Sequence, residues 1–229
     1  MLLRMVNERS SPRVNIGCGQ TPIRGWINFD SSPSVLLARL PGAVGLTSLA
    51  MTLGLLAPRQ AEYILFCKQN QIRYGDGLGK LPLPSQSCAI VYSSHVLEHL
   101  TPQGEASKFL LESHRILMAG GRIRLAVPDL DLLIRQYLEH GNANRFLSSL
   151  HILNQSSPKG LMWINQWVSR DRSLHRWVYN QQSLIDLLKS TGFAEPLAYP
   201  AGETGIADPG TLNLRERAWE SLYVEAVKV

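Results

Sequence analysis

Short segments of apolar residues recur along the chain, and each is followed by glycine or by polar residues. Residues 14–16, 89–92 and 122–127 have the length and composition of buried β-strands. Residues 109–117 instead place apolar side chains three and four positions apart, which predicts an amphipathic helix between the second and third of these strands. Strands that alternate with helices predict an α/β fold, with a doubly wound, mostly parallel sheet and helices on both faces.

The first strand ends in a glycine-rich turn. Gly17 and Gly19 allow backbone angles that other residues resist, and they let a ligand approach the main chain closely. A second short strand, residues 27–29, ends in Asp30, and an acid in that position can bind the two hydroxyls of a ribose. This segment therefore predicts a nucleoside-binding pocket.

The spacing of the turn separates it from dinucleotide-binding folds. Those folds place the acid about 20 residues after the glycines, whereas Asp30 lies 13 positions after Gly17. The first helix must therefore be very short, and Thr21 and Pro22 suit its N-terminus. Pro22 also stands where the dinucleotide fingerprint has its third glycine, which disfavours a nicotinamide-dependent oxidoreductase.

Polar residues follow the later strands in the same way. Asp76 and Gly77 come after a short strand that ends near residue 74. The polar residues Ser93, Ser94 and His95 directly follow strand 89–92. We predict that a helix begins within 96–100 and that Gly120-Gly121 terminate it. The strand after those glycines ends in Pro128-Asp129.

Together these segments resemble a class I S-adenosylmethionine-dependent methyltransferase with a Rossmann-like fold. The resemblance rests on VNIGCG at 14–19, Asp30, GDG at 75–77, and the segments 81–100 and 114–130. Residues 175–193 and 221–229 also resemble the late helix and closing strand of small bacterial members, some of which are associated with cell-surface glycan synthesis. The resemblance implies one methyltransferase domain over residues 1–229.

The resemblance also implies a cofactor pocket for S-adenosylmethionine. Its methionine end would contact the main chain of Gly17, Cys18 and Gly19, and Asp30 would accept hydrogen bonds from the ribose. Asp76, with Gly77, would lie at the adenine edge, where a carboxylate can accept from the exocyclic amine. Ser93, Ser94 and His95 would close the methionine side.

A general base is needed only if the methyl acceptor is weakly acidic, for example a sugar hydroxyl. His95 is the first candidate, because it follows a central strand and an imidazole pKa near 6.5 suits proton removal. Asp129 comes next, together with Asp131, although capping of the following helix is the favoured interpretation of both. His175 is a third candidate. Glu98 and His99 are interpreted as structural.

An insert at about residues 36–62 interrupts the alternation, and residues 40–57 contain no charge. Pro41 and three glycines disfavour a transmembrane span. Leu46, Leu49, Leu53 and Leu56 form one apolar stripe at helical spacing. We expect a helix that packs on the core; a lid or a peripheral membrane contact through 40–57 is the alternative.

Composition limits the classes of binding partner and the cellular location that can be expected. The net charge is +5 and the pI near 9.3, but Lys and Arg are dispersed, which disfavours nucleic-acid binding. The three cysteines form neither a disulfide framework nor a zinc-type pattern, so we expect a reducing, cytoplasmic location, extending to the inner membrane face if the insert touches lipid. No metal site is predicted, because no pair of histidines has clustered carboxylates beside it.

A substrate-side helical region is expected over about 132–180. Within and near it, Trp163, Trp167, Trp177 and Tyr179 suit either core packing or a sugar-binding face. Residues 196–209 are expected to form a loop before the last strand.

The sequence therefore favours an S-adenosylmethionine-dependent methyltransferase with a small-molecule or glycan acceptor. The alternative is a catalytically silent methyltransferase-like module that acts at a partner or membrane surface. The acceptor and the oligomeric state are not determined by the sequence.

Overall fold

The computed structural model describes residues 11–152 and 174–229. Within these residues, seven strands form one sheet in the order β3-β2-β1-β4-β5-β7-β6. All neighbouring strands are parallel except β7, which runs antiparallel to both β5 and β6. The predicted α/β class and the mostly parallel, doubly wound sheet are confirmed.

The strands are β1 (Arg13–Ile16), β2 (Ile27–Asp30), β3 (Arg73–Tyr74), β4 (Cys88–Ser94), β5 (Leu117–Pro128), β6 (Phe193–Tyr199) and β7 (Ser221–Lys228). The α-helices are α1 (Pro33–Ala38), α2 (Ala43–Thr52), α3 (Pro58–Gln69), α4 (Ser107–Ile116), α5 (Leu130–His140), α6 (Ala143–Ser149) and α7 (Gln181–Ser190). A 3₁₀-helix (Leu97–His99) and a π-helix (Pro102–Ala106) precede α4.

The core lies on both sides of the central strand β4. On one face, α4 and α7 supply side chains such as Leu110 and Leu184 to the largest apolar cluster. On the other face, Tyr92 packs with Ile206 and Leu212, which belong to the long segment between β6 and β7. A third cluster joins α1 and α3 behind the glycine turn. Helices therefore flank the sheet, and the segment between β6 and β7 also covers part of it.

The predicted short first helix is wrong. Residues 17–26 form turns, because several of their polar groups bond across to β2. The amides of Gly17 and Cys18 both donate to the carbonyl of Phe29, at 2.8 and 3.0 Å. The Asn28 side chain accepts from the amide of Ile23 at 2.8 Å and donates to its carbonyl.

Helix α4 ends at Ile116, four residues before the predicted glycine stop. Gly120 and Gly121 lie inside β5, and Gly120 has φ +76°. The register between β4 and β5 shifts between Cys88 and Ile90, so these glycines occupy an irregularity in the strand rather than a helix terminus. The predicted 196–209 loop is also displaced, since Pro196 lies within β6.

The insert is helical, as predicted, but of the four leucines in its stripe only Leu56 packs against a core cluster, the one formed by α1 and α3. Leu46, Leu49 and Leu53 have 53, 56 and 63% of their surface exposed. The buried side of α2 consists of Ala43 and Thr47. Small residues therefore face the protein and leucines face outward. Among the described residues, no helix combines the length and the hydropathy needed to cross a bilayer.

The predicted helical region after residue 132 begins with α5 and α6. Trp163 and Trp167 lie outside the described residues, as does the part of this region from 153 to 173. Tyr179 is buried and belongs to the core, whereas Trp177 is 49% exposed. Tyr179 therefore fits the core-packing alternative and is not part of an exposed sugar-binding face.

Candidate active site

A cavity of about 230 Å³ lies at the carboxyl ends of the central strands. Strands β1 and β4 are neighbours there, although their chain connections leave in opposite directions. Open α/β sheets bind ligands at such a switch point. Among the residues predicted to form the site, the cavity is lined by Gly17, Asp30, Asp76, Gly77 and His95.

Two of these positions have no room for a side chain, so each requires glycine. Gly17 has φ +73°, and a Cβ atom built on it would overlap Val96. A Cβ atom on Gly77 would overlap the ring of Phe109. At both positions the cavity is lined by main-chain atoms without a side chain, which lets a ligand approach the main chain closely.

The two carboxylates lie on loops that they also organise. Asp30 Oδ2 accepts from the amide of Gly19 at 3.1 Å, and Oδ1 accepts from the amide of Ser32 at 2.7 Å. Asp76 Oδ1 accepts from the amide of Leu78 at 3.0 Å. Because an ionised carboxylate offers about four acceptor positions, Asp30 can hold the glycine turn and still accept from a ligand.

Five other predicted residues do not line the cavity. The side chain of Cys18 is buried in the α1/α3 cluster, where burial raises the pKa of its thiol, and Gly19 donates its amide to Asp30. Ser93 is buried and its hydroxyl donates to the carbonyl of Ile16 at 2.9 Å, while Ser94 lies beside it at the end of β4. Asp129 caps α5 by accepting from the amide of Asp131 at 3.0 Å. These groups support the site from behind or belong to a neighbouring helix.

His95 is held on both ring nitrogens at the edge of the cavity. Nε2 lies 2.9 Å from Ser221 Oγ, and Nδ1 lies 3.2 Å from the guanidinium of Arg217. Because a guanidinium can only donate, Nδ1 accepts the hydrogen bond from Arg217. Nε2 therefore carries the proton and donates a hydrogen bond to Ser221 Oγ. His95 has φ +53°, a backbone conformation that few non-glycine residues adopt and that is found disproportionately at functional sites.

Several lining residues were not predicted from the sequence. Tyr63 reaches the cavity from α3 in the insert, and burial together with the Asp30 carboxylate raises the pKa of its hydroxyl. Leu78, Val96 and Phe109 provide apolar walls. In the sequence, Tyr63 belongs to an ordinary amphipathic helix, and no local signal connects it with Asp30.

A cluster of titratable groups borders the cavity on the His95 side. The Glu98 side chain is fully buried, and its Oε1 lies 3.2 Å from His95 Nδ1, 3.9 Å from His99 Nε2 and 4.0 Å from His175 Nε2. Burial lowers the pKa of His175 to about 4, against the opposing effect of Glu98. The sequence predicted no metal site, yet the fold places two histidines and a carboxylate within 4.8 Å of one another.

Comparison with known proteins identifies the fold. Residues 56–125 match the family model described as a methyltransferase domain. That stretch contains Tyr63, Asp76 and His95, which line the cavity. No protein of curated function matched the chain. The fold is that of Rossmann-like methyltransferases.

Solved methyltransferases share this fold at low sequence identity. The CurJ carbon methyltransferase has a TM-score of 0.50 and 14% identity, over 99% of this chain and 50% of that chain. An S-adenosylmethionine-dependent methyltransferase from Mesorhizobium loti has a TM-score of 0.48 and 16% identity, over 95% and 91%. One from Thermotoga maritima has a TM-score of 0.47 and 14% identity, over 96% and 82%.

The family match is confined to residues 56–125, less than half of the chain, and the solved structures add the fold. At these identities the structural similarity extends to the fold and not to the acceptor. The chemistry of the site must therefore come from the residues of this chain.

Proposed function

We propose that this protein is an S-adenosylmethionine-dependent methyltransferase that acts on a small-molecule or glycan acceptor. The observation that carries the proposal is the cavity at the β1/β4 switch point, which combines Gly17 at backbone height with Asp30 and Asp76. The nicotinamide alternative is weaker, because residues 17–26 contain no helix whose N-terminus faces a pyrophosphate.

The residues of the cavity suit this cofactor one by one. Asp30 would accept hydrogen bonds from the ribose hydroxyls, and Asp76 would accept from the exocyclic amine of adenine. Tyr63 and Phe109 offer aromatic surfaces to a flat base, and Gly17 admits the methionine portion. When bound, S-adenosylmethionine supplies an electrophilic methyl group on a sulfonium centre. Positioning by these residues would then provide most of the rate.

His95 would act as general base for an acceptor hydroxyl. Its Nδ1 holds a lone pair that Arg217 now occupies, and the Arg217 side chain is 50% exposed, so an acceptor can displace it. Ser221 keeps the proton on Nε2, so the lone pair of Nδ1 becomes available to an acceptor once Arg217 is displaced. Asp129 is the weaker candidate, because its carboxylate caps α5 and does not line the cavity.

Cofactor binding tests the first part of the proposal. Calorimetric titration with S-adenosylhomocysteine should show saturable binding that Asp30→Asn and Asp76→Asn each weaken at least tenfold. Asp131→Asn is the matched control, because Asp131 is an exposed acid at the start of α5, and its affinity should equal that of the wild type. Absence of binding by the wild-type protein would refute the proposed function.

Transfer of a labelled methyl group tests the acceptor side. His95→Gln can still donate to Ser221 but cannot take a proton. The variant should bind S-adenosylhomocysteine normally, and its rate of methyl transfer should fall by at least about 10²-fold. Asp129→Asn should transfer at close to the wild-type rate. A loss confined to Asp129→Asn would assign the base to that residue instead. Cofactor binding without transfer to any fraction of a cell-envelope extract would favour a silent binding module.

We further propose that residues 40–57 bring the enzyme to an anionic lipid surface. Leu46, Leu49 and Leu53 face outward at more than half exposure. Arg39 and Arg59 flank the segment and are exposed, and residues 31–61 contain no acidic residue. An apolar face between cations, without carboxylates, matches the interface of a bilayer that contains anionic lipid. Such a location would suit a lipid-linked glycan acceptor.

Vesicle sedimentation distinguishes this surface from ordinary exposed leucines. Phosphatidylglycerol-containing vesicles should sediment the wild-type protein, and Leu49→Asp/Leu53→Asp should abolish sedimentation. Leu138→Asp is the control, because Leu138 is 74% exposed on α5. Equal sedimentation of all three proteins, or of none, would contradict the lipid proposal and leave the methyltransferase proposal unaffected.

A further inference from the structure

We propose that Glu98, His99 and His175 form a binding site for a divalent transition metal ion of the zinc class, beside the cavity. Each residue offers one ligand atom, and the three atoms lie within 4.8 Å of one another. His99 also lines the cavity, so an ion held there would be open to it on one side.

The first argument is the condition of Glu98. Its side chain is fully buried, and neither carboxylate oxygen has a hydrogen-bond partner among the described residues. A buried carboxylate without compensation is strongly unfavourable, and interiors satisfy such groups by ion pairing or by metal coordination. Imidazole nitrogens are the groups that surround it, at 3.2 to 4.0 Å from Oε1.

The second argument is the tautomer of His99. Its Nδ1 lies 3.0 Å from the carbonyl oxygen of Leu174. A carbonyl only accepts, so Nδ1 carries the proton and Nε2 presents a lone pair toward Glu98 Oε1, 3.9 Å away. Two electron-rich atoms then face each other with no proton between them, and a cation between them removes the repulsion. A backbone carbonyl on the other ring nitrogen is the usual support of a metal-bound histidine.

The third argument is that the backbone holds His175 in place. The amides of Arg176 and Trp177 both donate to the carbonyl of Glu98, at 2.7 and 3.1 Å. These two bonds hold residues 176–177 next to the 3₁₀-helix Leu97–His99. His175 is therefore held beside Glu98 by main-chain contacts, which do not depend on the side chains that would bind the ion.

The geometry requires only a small contraction. Zinc binds nitrogen and carboxylate oxygen at about 2.0 to 2.2 Å, so two ligand atoms on one ion lie roughly 3.4 Å apart at the tetrahedral angle and about 4.2 Å apart at most. The two distances from Glu98 Oε1 to the histidine nitrogens are 3.9 and 4.0 Å. These two distances are within that maximum, and all three ligand atoms lie within 4.8 Å of one another, so binding an ion requires side-chain rotations that bring the atoms closer by up to about 1 Å.

The ligand types indicate the class of metal. Two imidazoles and one carboxylate are the ligand set of catalytic zinc sites and of the non-haem iron facial triad, both of which keep a position open. Magnesium and calcium prefer oxygen ligands and are therefore disfavoured. His95 is not part of the set, because Arg217 donates to its Nδ1. If the proposed methyltransferase function holds, the open position would bind an oxygen of the acceptor.

Titration of the chelator-treated protein with Co²⁺ and Zn²⁺ tests the site. We expect one equivalent of Co²⁺ to bind and to show the visible absorption bands typical of Co²⁺ with a low coordination number. Zn²⁺ should displace it. Glu98→Gln and His175→Gln should each weaken Zn²⁺ binding at least tenfold, since Glu98→Gln keeps the shape but not the charge. His140→Gln, which changes an exposed histidine at the end of α5, should bind like the wild type.

Binding of S-adenosylhomocysteine by each metal-free variant reports whether it is folded and keeps this test separate from the proposed function. Failure of the wild-type protein to bind Co²⁺ or Zn²⁺ would overturn the metal site even if S-adenosylhomocysteine binds. Tight Zn²⁺ binding by both Glu98→Gln and His175→Gln would overturn it as well. If Glu98→Gln does not fold, His175→Gln decides alone.

Discussion

Asp30 illustrates how single residues in this protein serve both the fold and the site. Its carboxylate accepts from the amides of Gly19 and Ser32, and so fixes the turn that forms one wall of the cavity. Gly17 contributes space instead of a functional group. Gly17 leaves this space because it has no Cβ atom, and substitution by alanine adds that atom.

Gly17→Ala should lower both cofactor affinity and stability. The new methyl group would overlap Val96, and the backbone would still require φ +73°. We expect S-adenosylhomocysteine to bind at least tenfold more weakly by calorimetry, with a lower melting temperature. Gly19→Ala is the control, because its φ is also positive but its Cβ would meet open space. Equal losses in the two variants would show that backbone strain, and not the overlap, is responsible.

His114 should make stability depend on pH. Burial, and then the nearby Lys228, lower the pKa of its imidazole below the usual 6.5. Between the two pKa values the unfolded chain binds more protons than the folded one, so stability falls as pH decreases below about 6.5. Urea unfolding at pH 7.5 and 5.5 should show a smaller decrease for His114→Gln than for the wild type. An unchanged decrease would mean that other groups, such as His175, account for it.

At the scale of elements, the ends of helices and strands are set by local chemistry. Helix α7 begins with a capping box, in which Asn180 Oδ1 accepts from the amide of Ser183 at 3.0 Å and Ser183 Oγ accepts from the amide of Asn180 at 3.1 Å. Helix α4 shows the opposite case, since it ends before its predicted glycines when the chain joins β5. The pairing of β5 with β4 stops that helix earlier than the local sequence predicts.

Asn180→Ala should destabilise the protein by about 1 kcal/mol, the usual effect of losing a side-chain N-cap. The substitution removes the bond that Asn180 Oδ1 accepts from Ser183, at the start of a helix that carries the buried Leu184 and Leu188. Urea unfolding should show a lower midpoint with an unchanged slope. Gln181→Ala changes the adjacent exposed position and should have no measurable effect. A midpoint for Asn180→Ala equal to the wild type would contradict the role of the box.

At the scale of the whole molecule, a buried ion pair joins the sheet to the long β6–β7 segment. Arg124 and Glu225 are both fully buried, and the guanidinium donates to Glu225 Oε1 at 2.6 Å and to the carbonyl of Glu203 at 3.0 Å. The amide of Gly205 also donates to Glu225, at 3.0 Å. The same segment carries Arg217, which contacts His95. This network therefore links the packing of the second sheet face to the edge of the cavity.

Arg124→Met should cost about 3 to 5 kcal/mol, because it leaves a buried carboxylate without its main cation. Guanidinium chloride unfolding measures the loss. Arg122→Met is the matched control, since Arg122 is partly exposed and 3.5 Å from Glu225, and should cost less than about 1 kcal/mol. Arg124→Met/Glu225→Gln should recover part of the stability. A double variant as unstable as Arg124→Met alone would show that the uncompensated carboxylate is not the cause of the loss.

The sequence by itself determined the order of strands and helices and the position of the glycine turn with Asp30 and Asp76. Those features depend on periodicity and on residues that directly follow a strand, and both are local properties. The same local logic failed for the first helix, because Asn28 and the carbonyl of Phe29 draw the turn across to β2.

Only the tertiary structure decided which side chains meet at the cavity. Tyr63 reaches it from the insert, and His175 lies beside Glu98 although 77 positions separate them in the chain. Likewise, periodicity located the leucines of α2 but not the side they face, because Ala43 and Thr47 allow closer contact with the neighbouring helices. A sequence pattern fixes spacing along one element. Contacts between elements depend on how whole surfaces pack, and no single segment contains that information.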